Sequence, residues 1–168
     1  GINVIKNLVG VGKNLQDHLM FRPVYKVKNI QTLNKKINSL IGKLMIGMEY
    51  VFFRKGPMTM GASQLCGFAK SDPSKATPNL QFHVQPISTD KLGGSSLHDF
   101  AAFTPTVANI RPTSKGEINI VSKDSREHPK IKMNYLSSPE DRKVAAAGLK
   151  LIRKIVLETN EFKQYVPE

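Results

Sequence analysis

Hydrophobic and polar residues alternate along several short stretches of the chain, and this alternation is typical of half-buried β-strands. The clearest stretch runs from residue 79 to residue 85. There we expect one face of a sheet to carry Leu80, Phe82 and Val84, and the other face to carry Gln81, His83 and Gln85. The other predicted strands are residues 2–5, 23–28, 62–69, 103–110, 116–122 and 130–133.

Two longer stretches repeat their apolar residues at helical spacing. The first is predicted to form one helix from a cap at Thr32 to Arg54, with its methionines filling a core. The second is predicted to begin after Ser138, with Pro139 at its first position and Asp141 three residues after the cap. The predicted buried stripe of this second helix is Val144, Ala147, Gly148, Leu151, Ile152 and Ile155.

The order of these elements is strand, helix, several strands and helix, without a regular alternation of strands and helices. Such an order favours an α+β fold, with a mostly antiparallel sheet backed by helices on one face. A hydrophobic content of 40% in 168 residues fits one globular domain. The opening residues, Gly1 and Ile2, suggest that the sequence starts inside a longer protein.

The chain is strongly basic, with 25 Lys and Arg against 13 Asp and Glu. These charges are scattered, and the longest basic block is Lys35-Lys36, so we interpret them as solvated surface and predict no nucleic-acid partner. The single cysteine, Cys66, excludes an internal disulfide and suits a reducing compartment. Its apolar neighbours predict a small buried side chain.

Several catalytic motifs are absent from the sequence. The four histidines have no zinc-ligand spacing, so no metal site is predicted. Gly10-x-Gly12 is followed by Leu15, which fails both the dinucleotide-binding and the P-loop pattern. The polar stripe around His83 either meets solvent or lines a cavity, and the residues alone favour solvent. Asp17-His18 lie in a predicted loop, where bracing by hydrogen bonds is the simpler interpretation.

Three stretches together resemble the glucose–methanol–choline (GMC) oxidoreductases, in the order and approximate spacing of that family. The first is GVGKNLQDH at residues 10–18, and the second is PNLQFHVQP at residues 78–86. The third begins with RPTSKG at residues 111–116 and continues through NYLS at residues 134–137 into the last helix. The combined pattern is most similar to the bacterial choline-dehydrogenase-like branch and covers essentially the whole chain.

The resemblance implies three segments. Residues 1–22 would be the tail of the FAD-binding N-terminal region with its NLQDH loop. Residues 23–110 would be the substrate-binding cap region, and residues 111–168 the start of the family's C-terminal region. The family's glycine-rich FAD motif and catalytic histidine would lie outside residues 1–168. We therefore expect no catalytic residue in this chain, and expect the 168 residues alone to be inactive and to lose FAD.

The resemblance also implies a reaction and a substrate class. An FAD-dependent alcohol dehydrogenase or oxidase would convert a primary alcohol to an aldehyde by hydride transfer to the flavin. Substrate contacts are implied for Gln64, Gln81, His83 and Gln85. Choline-specific members carry Glu at the position that matches Gln64, where a carboxylate offsets the cost of burying the ammonium group. The amide at this position predicts a neutral alcohol.

The NLQDH loop supplies three secondary candidates for cofactor contact, namely Asn14, Asp17 and His18. The resemblance to this family also leaves three alternatives open. They are a choline dehydrogenase proper, a lyase on the same fold, and a non-catalytic basic binding module. The expected location is bacterial, in the cytoplasm or peripheral to the inner membrane, and the sequence does not identify the electron acceptor.

Overall fold

A computed structural model of the chain describes residues 2–61, 63–91 and 96–168. The strands are β1 (Lys13–Leu15), β2 (Met20–Phe21), β3 (Tyr25–Lys26), β4 (Leu65–Ala69), β5 (Leu80–Gln85), β6 (Ala102–Asn109), β7 (Gly116–Asn119) and β8 (Lys130–Lys132). The helices are α1 (Leu33–Asn38), α2 (Leu40–Phe53), α3 (Pro139–Glu158) and α4 (Asn160–Lys163), with a 3₁₀ turn at Pro57–Thr59. The sequence Lys91-Leu92-Gly93-Gly94-Ser95-Ser96 also predicts a flexible loop, and its residues 92–95 lie outside the described residues.

The larger sheet is antiparallel and has the strand order β2-β6-β5-β4, with β3 also pairing with β6. The long strand β6 is its centre, because β2, β3 and β5 all pair with it. The strands predicted at residues 79–85 and 103–110 are confirmed to within one residue. Of residues 23–28, only Tyr25–Lys26 belong to a strand. Lys26 also exchanges two backbone hydrogen bonds with Glu168, so the chain's last residue extends this edge.

Helix α3 packs against one face of the sheet and closes the core. Leu80 and Val107 from the sheet meet Val144, Ile152 and Val156 from the helix, and all five side chains are buried. Gly148 allows the close approach, since a Cβ atom there would lie 2.9 Å from a methyl group of Val107. The predicted α+β fold, an antiparallel sheet backed by helices, is confirmed. Ile155 is exposed, and Val156, four residues after Ile152, is buried instead.

A second, smaller sheet has the strand order β1-β7-β8. Strand β1 lies inside a segment that was predicted to be a loop. It forms a strand because it pairs with β7, which lies far along the chain. The strand predicted at residues 2–5 is wrong: Ile5 is fully exposed and no strand lies at these residues. A strand needs a neighbour for its backbone groups, which alternation alone does not reveal.

The single helix predicted from Thr32 to Arg54 is interrupted at Ser39. Ser39 has an extended backbone, with φ −89° and ψ 134°, and its hydroxyl accepts a hydrogen bond from the Gly42 N–H group at 3.3 Å. Ser39 therefore caps a new helix, α2. Gly42 lies so close to the Lys36 carbonyl oxygen that no side chain fits, which holds α2 against the end of α1.

The predicted core role of the α2 methionines is wrong. Met45 and Met48 are exposed, because α2 packs mainly against α1 and the 3₁₀ turn, away from the core formed by α3. The prediction of a buried Cys66 is wrong as well. Cys66 lies on β4, the last strand of the larger sheet, where neighbours cover only one side.

Candidate functional site

The face of β5 that points away from α3 carries three polar side chains. Gln81, His83 and Gln85 form this polar face of β5, and all three are half-buried. The Nε2 atom of Gln81 lies 3.8 Å from the Sγ atom of Cys66, which stands opposite His83 on β4. The amide of Gln85 donates to the Ser63 hydroxyl at 3.5 Å. The sheet register thus holds these hydrogen-bonding groups side by side at one surface.

Arg22 adds a positive charge to the polar face of β5, and the sequence patterns gave no sign of it. Its guanidinium donates to the Gln85 Oε1 atom at 3.3 Å. Its Nε atom is buried and has no hydrogen-bond partner within the described part of the chain. Arg22 lies between β2 and β3, which both pair with β6, so the long-range pairing places its side chain here. Only the pairing of β2 and β3 with β6 could have revealed the position of Arg22.

Gln64 lies at the end of the same sheet but lines a different hollow. Its backbone N–H group donates to the Val84 carbonyl at 3.1 Å, and its side-chain amide contacts the sulfur of Met60. The side chain borders an open, mainly apolar cavity of about 520 Å³, on the side of the sheet that carries Val84. The polar lining of this cavity includes Gln31, Thr32, Lys36 and Gln64. Neither Gln81, His83 nor Gln85 lines it, so Gln64 is not brought together with them.

The NLQDH loop is tied to the C-terminal part of the chain through its side chains. The Asp17 carboxylate accepts hydrogen bonds from the Tyr135 hydroxyl at 2.5 Å and from the His18 N–H group at 2.8 Å. The Gln16 amide donates to the Pro112 carbonyl at 2.6 Å. The hydrogen bond from Tyr135 is the main reason that the pKa of Asp17 is lowered. Asp17 therefore braces the loop, as a residue in an irregular segment often does.

The three secondary cofactor candidates do not build a flavin site by themselves. Asp17 and His18 line an open cavity of about 350 Å³ together with Arg111. The Asp17 carboxylate already accepts two hydrogen bonds, and a negative charge does not attract a diphosphate group. Asn14 lies within β1 at a positive φ of 59°, at the point where the pairing of β1 with β7 is irregular. Its role there is in the backbone conformation of the strand.

A second cluster has the residue types of a serine hydrolase but is structural. The His98 ring bonds to the Ser88 hydroxyl at 3.0 Å and to the Asp90 carboxylate at 2.9 Å. Ser88 is completely buried, and its hydroxyl accepts a hydrogen bond from the Asn34 amide at 2.7 Å. A nucleophile must reach its substrate, and the buried Ser88 hydroxyl cannot. The hydrogen bonds of this cluster instead link α1 to the loop after β5. In the described ranges, no group of three or more His, Cys, Asp or Glu residues is placed to hold a metal.

Asp141 is the buried carboxylate that organises the start of α3. It accepts hydrogen bonds from the Thr113 N–H group at 2.9 Å, the Thr113 hydroxyl at 3.0 Å and the Ser114 N–H group at 2.8 Å. The Asn109 amide donates to it at 3.2 Å. Burial raises the pKa of Asp141, but the hydrogen bonds from Ser114 and Thr113 together outweigh burial and lower it. The sequence indicated a helix cap here, and missed the contacts with residues 109–114.

The bond between Asp17 and Tyr135 leads to a prediction for the loop. In Tyr135→Phe, the largest cause of the lowered Asp17 pKa is removed, so that pKa is expected to rise towards its ordinary value. An NMR titration of the Asp17 carboxyl carbon measures this change. Tyr50→Phe, on α2, is the matched control and should leave the Asp17 titration unchanged. An unaltered Asp17 pKa in Tyr135→Phe would show that the Tyr135 hydrogen bond does not lower it.

Solved structures share this fold over most of the chain. A formate oxidase superposes with a TM-score of 0.82 over 100% of this chain and 33% of that protein, at 21% sequence identity. Pyridoxine 4-oxidase from Mesorbium loti superposes with a TM-score of 0.68 over 96% of this chain and 28% of that protein, at 17% identity. The arrangement of antiparallel sheet and backing helix is therefore a fold that these structures share.

Sequence comparison names the family. The profile of the GMC oxidoreductases matches residues 112–167. The alcohol dehydrogenase [acceptor] of Pseudomonas putida is 37% identical over 92% of this chain. An oxygen-dependent choline dehydrogenase of Stenotrophomonas maltophilia is 34% identical over 92% of it. The chain belongs to the GMC oxidoreductase family, in its choline-dehydrogenase-like branch, and spans 27–28% of the length of these two relatives.

Proposed function

We propose that this chain is the substrate-side segment of an FAD-dependent alcohol dehydrogenase or oxidase. The whole enzyme would oxidise a primary alcohol to an aldehyde, with FAD as the acceptor of the hydride. The proposal is supported by relatives named as an alcohol dehydrogenase and as choline dehydrogenases, which match along 92–94% of the chain. We further propose the division into residues 1–22, 23–110 and 111–168 that the family likeness suggests, with FAD held mainly by residues outside this chain.

Within this proposal, the polar face of β5 binds and orients the alcohol. Gln81, His83 and Gln85 offer hydrogen-bond donors and acceptors at one half-buried surface, which suits a hydroxyl group. The sheet holds these side chains in fixed register between β4 and β6, so that they can orient a substrate without large rearrangement. Asn14, Asp17 and His18 act at a distance by bracing the NLQDH loop, which lies within residues 1–22 and is hydrogen-bonded to the C-terminal region.

The charge around this surface favours a neutral alcohol over choline, and this is the observation that carries the substrate proposal. The Arg22 guanidinium contacts Gln85 and places a positive charge at this surface. In the residues that the structure describes, no carboxylate hydrogen-bonds to Gln81, Gln85 or Arg22. A fixed cation would meet like charge at this surface and find no partner there. Choline remains the second candidate, because the choline dehydrogenases are close relatives in sequence.

The proposed function is tested by comparing the product of the complete reading frame with the 168-residue chain. The complete protein is expected to carry bound FAD and to reduce an artificial dye in the presence of primary alcohols. The 168-residue chain is expected to lose FAD during gel filtration, because it lacks the glycine-rich diphosphate motif. A complete protein without flavin would contradict the proposed class, and yellow colour retained by the short chain would contradict the proposed division.

A further inference from the structure

Arg22 stands at the polar face of β5 without a partner of opposite charge. Its neighbour Phe21 packs against the core on the α3 side of the sheet, so the Arg22 side chain points to the other side. There its Nη2 atom donates to the Gln85 Oε1 atom at 3.3 Å. None of the ion pairs among the described residues includes Arg22. Within these residues, the hydrogen-bond partner of this cation is therefore a neutral amide.

The position of the Arg22 side chain lowers the stability of the fold. Arg22 is half-buried, and its Nε atom is enclosed and lacks a hydrogen-bond partner among the described residues. An enclosed N–H group without an acceptor is destabilising, and so is a cation removed from water without a counter-charge. An apolar side chain of similar length would cover the sheet without either effect. Side chains that break a stability rule in this way are typical of sites that serve a ligand.

The free donor of Arg22 fits a single oxygen acceptor. A guanidinium can only donate hydrogen bonds, so its contact fixes the oxygen of the Gln85 amide on Arg22 and leaves the amide nitrogen facing Ser63. The Nη1 atom of Arg22 makes no hydrogen bond to a described residue and is not among the enclosed atoms, so a ligand can reach it. Nε is enclosed and Nη2 is engaged, which closes the fork that these two atoms offer to a carboxylate. This geometry favours one carbonyl oxygen at Nη1.

We propose that Arg22 determines substrate specificity by binding a carbonyl oxygen of the alcohol, at the end away from the hydroxyl group that is oxidised. The inference rests on the proposed function and narrows its substrate class to primary alcohols that carry an ester or amide group. Gln81 lies four residues from Gln85 on β5, which is about 13 Å along the strand. A substrate of several carbons can therefore place its carbonyl at Arg22 and its hydroxyl nearer to Gln81 and His83.

The test uses the complete enzyme and two alcohols of equal chain length, octanol and the methyl ester of ω-hydroxyhexanoic acid. Arg22→Met removes the charge and the donors but keeps an unbranched side chain. It is expected to lower kcat/KM at least about ten-fold for the hydroxy ester and less than about two-fold for octanol, because only the ester loses a hydrogen bond from a charged donor. The melting temperature should stay equal or rise, since the unpartnered Nε atom is gone. Arg22→Lys keeps the charge and should restore part of the ester activity.

Arg126→Met is the matched control. Arg126 is exposed and pairs with Asp124 in the connection between β7 and β8, so its replacement should change neither kcat/KM value. An unchanged kcat/KM for the hydroxy ester in Arg22→Met, or an equal loss for both alcohols, would overturn the proposal. A larger loss for ω-hydroxyhexanoate than for its methyl ester would assign Arg22 to a carboxylate instead.

Two further measurements separate the possible failures. A lowered melting temperature or a loss of FAD in Arg22→Met would show that Arg22 pairs with another part of the enzyme, which also overturns the specificity role. A parent protein without flavin or dye reduction contradicts the proposed function and this inference with it. An active parent whose Arg22→Met variant treats both alcohols as the parent does contradicts the inference alone.

Discussion

Replacing Asp141 with alanine is expected to lower the free energy of unfolding by about 3 kcal/mol, because several buried donors lose a charged acceptor at once. The N–H groups of Thr113 and Ser114 and the Asn109 amide all point at this carboxylate. Water cannot easily replace it, since Asp141 is only 4% exposed. Thermal and denaturant unfolding, followed by circular dichroism, measure the loss. The same substitution also removes the junction between the β6–β7 connection and α3.

Glu140→Ala is the matched control for Asp141→Ala. Glu140 precedes Asp141 and forms an ion pair with Lys75 whose side chains are both 39% exposed, so its removal should cost less than about 1 kcal/mol. A loss of equal size in both variants would show that negative charge at the helix start, rather than the buried contacts, provides the stability.

Asp141 also gives the stability a defined pH dependence. Its pKa is lower in the folded chain than the ordinary value, so the folded state favours the ionised form. Its contribution is complete above the unfolded pKa of about 3.9 and is lost as the pH falls through the folded pKa. As the pH falls below about 4, the difference in stability between the parent and Asp141→Ala should therefore begin to shrink, and it should be smallest below the folded pKa of Asp141. A constant difference down to acid pH would exclude this linkage.

Gln64→Glu in the complete enzyme is expected to raise kcat/KM for choline relative to a neutral primary alcohol by about 10- to 100-fold. A carboxylate near a buried ammonium group contributes about 1.5–3 kcal/mol, which corresponds to a change of that size. The effect depends on the proposed alignment of Gln64 with the glutamate of choline-specific relatives, and it requires the ammonium end of choline to enter the cavity that Gln64 borders rather than the polar face of β5. Steady-state kinetics with both substrates give this ratio of kcat/KM values directly. The kcat/KM for the neutral alcohol should fall only slightly.

Gln31→Glu is the control for this specificity change. Gln31 lines the same 520 Å³ cavity as Gln64 but does not match the glutamate position of the family. If both variants gain choline activity equally, the cause is general negative charge rather than position 64. A parent enzyme that already prefers choline would contradict the proposal of a neutral substrate, and would favour choline dehydrogenase proper.

The sequence predicted the structure most reliably where a local pattern and a tertiary contact favour the same residue types at the same positions. Alternation in residues 79–85 predicted which side chains of β5 would face the core, and Leu80 is buried against α3 as expected. Ser138 and Pro139 predicted the start of α3, and the Ser138 hydroxyl accepts the Asp141 N–H group at 3.0 Å. Capping and two-residue periodicity act between neighbours in the chain, so they can be detected without the fold.

The sequence failed where a residue's partner lies far along the chain. Apolar periodicity in α2 predicted a buried helix, but periodicity shows only that one face is apolar and not what covers it. The alternation at residues 2–5 has the same limit, since a strand exists only beside another strand. Arg22 and Asp141 were missed as site and anchor because their contacts, with Gln85 and with residues 109–114, span about 30 to 60 positions.

The amino-acid sequence by itself determined the α+β class, the polar stripe of β5, the cap of α3 and membership of the GMC family. These properties depend on residue type and on short spacing, which the chain carries whether folded or not. Only the tertiary structure decided that Arg22 reaches the polar face of β5, that Gln64 borders a separate cavity, and that the methionines of α2 are exposed. Each of these depends on which distant segments pair, and pairing is settled by the packing of the whole chain.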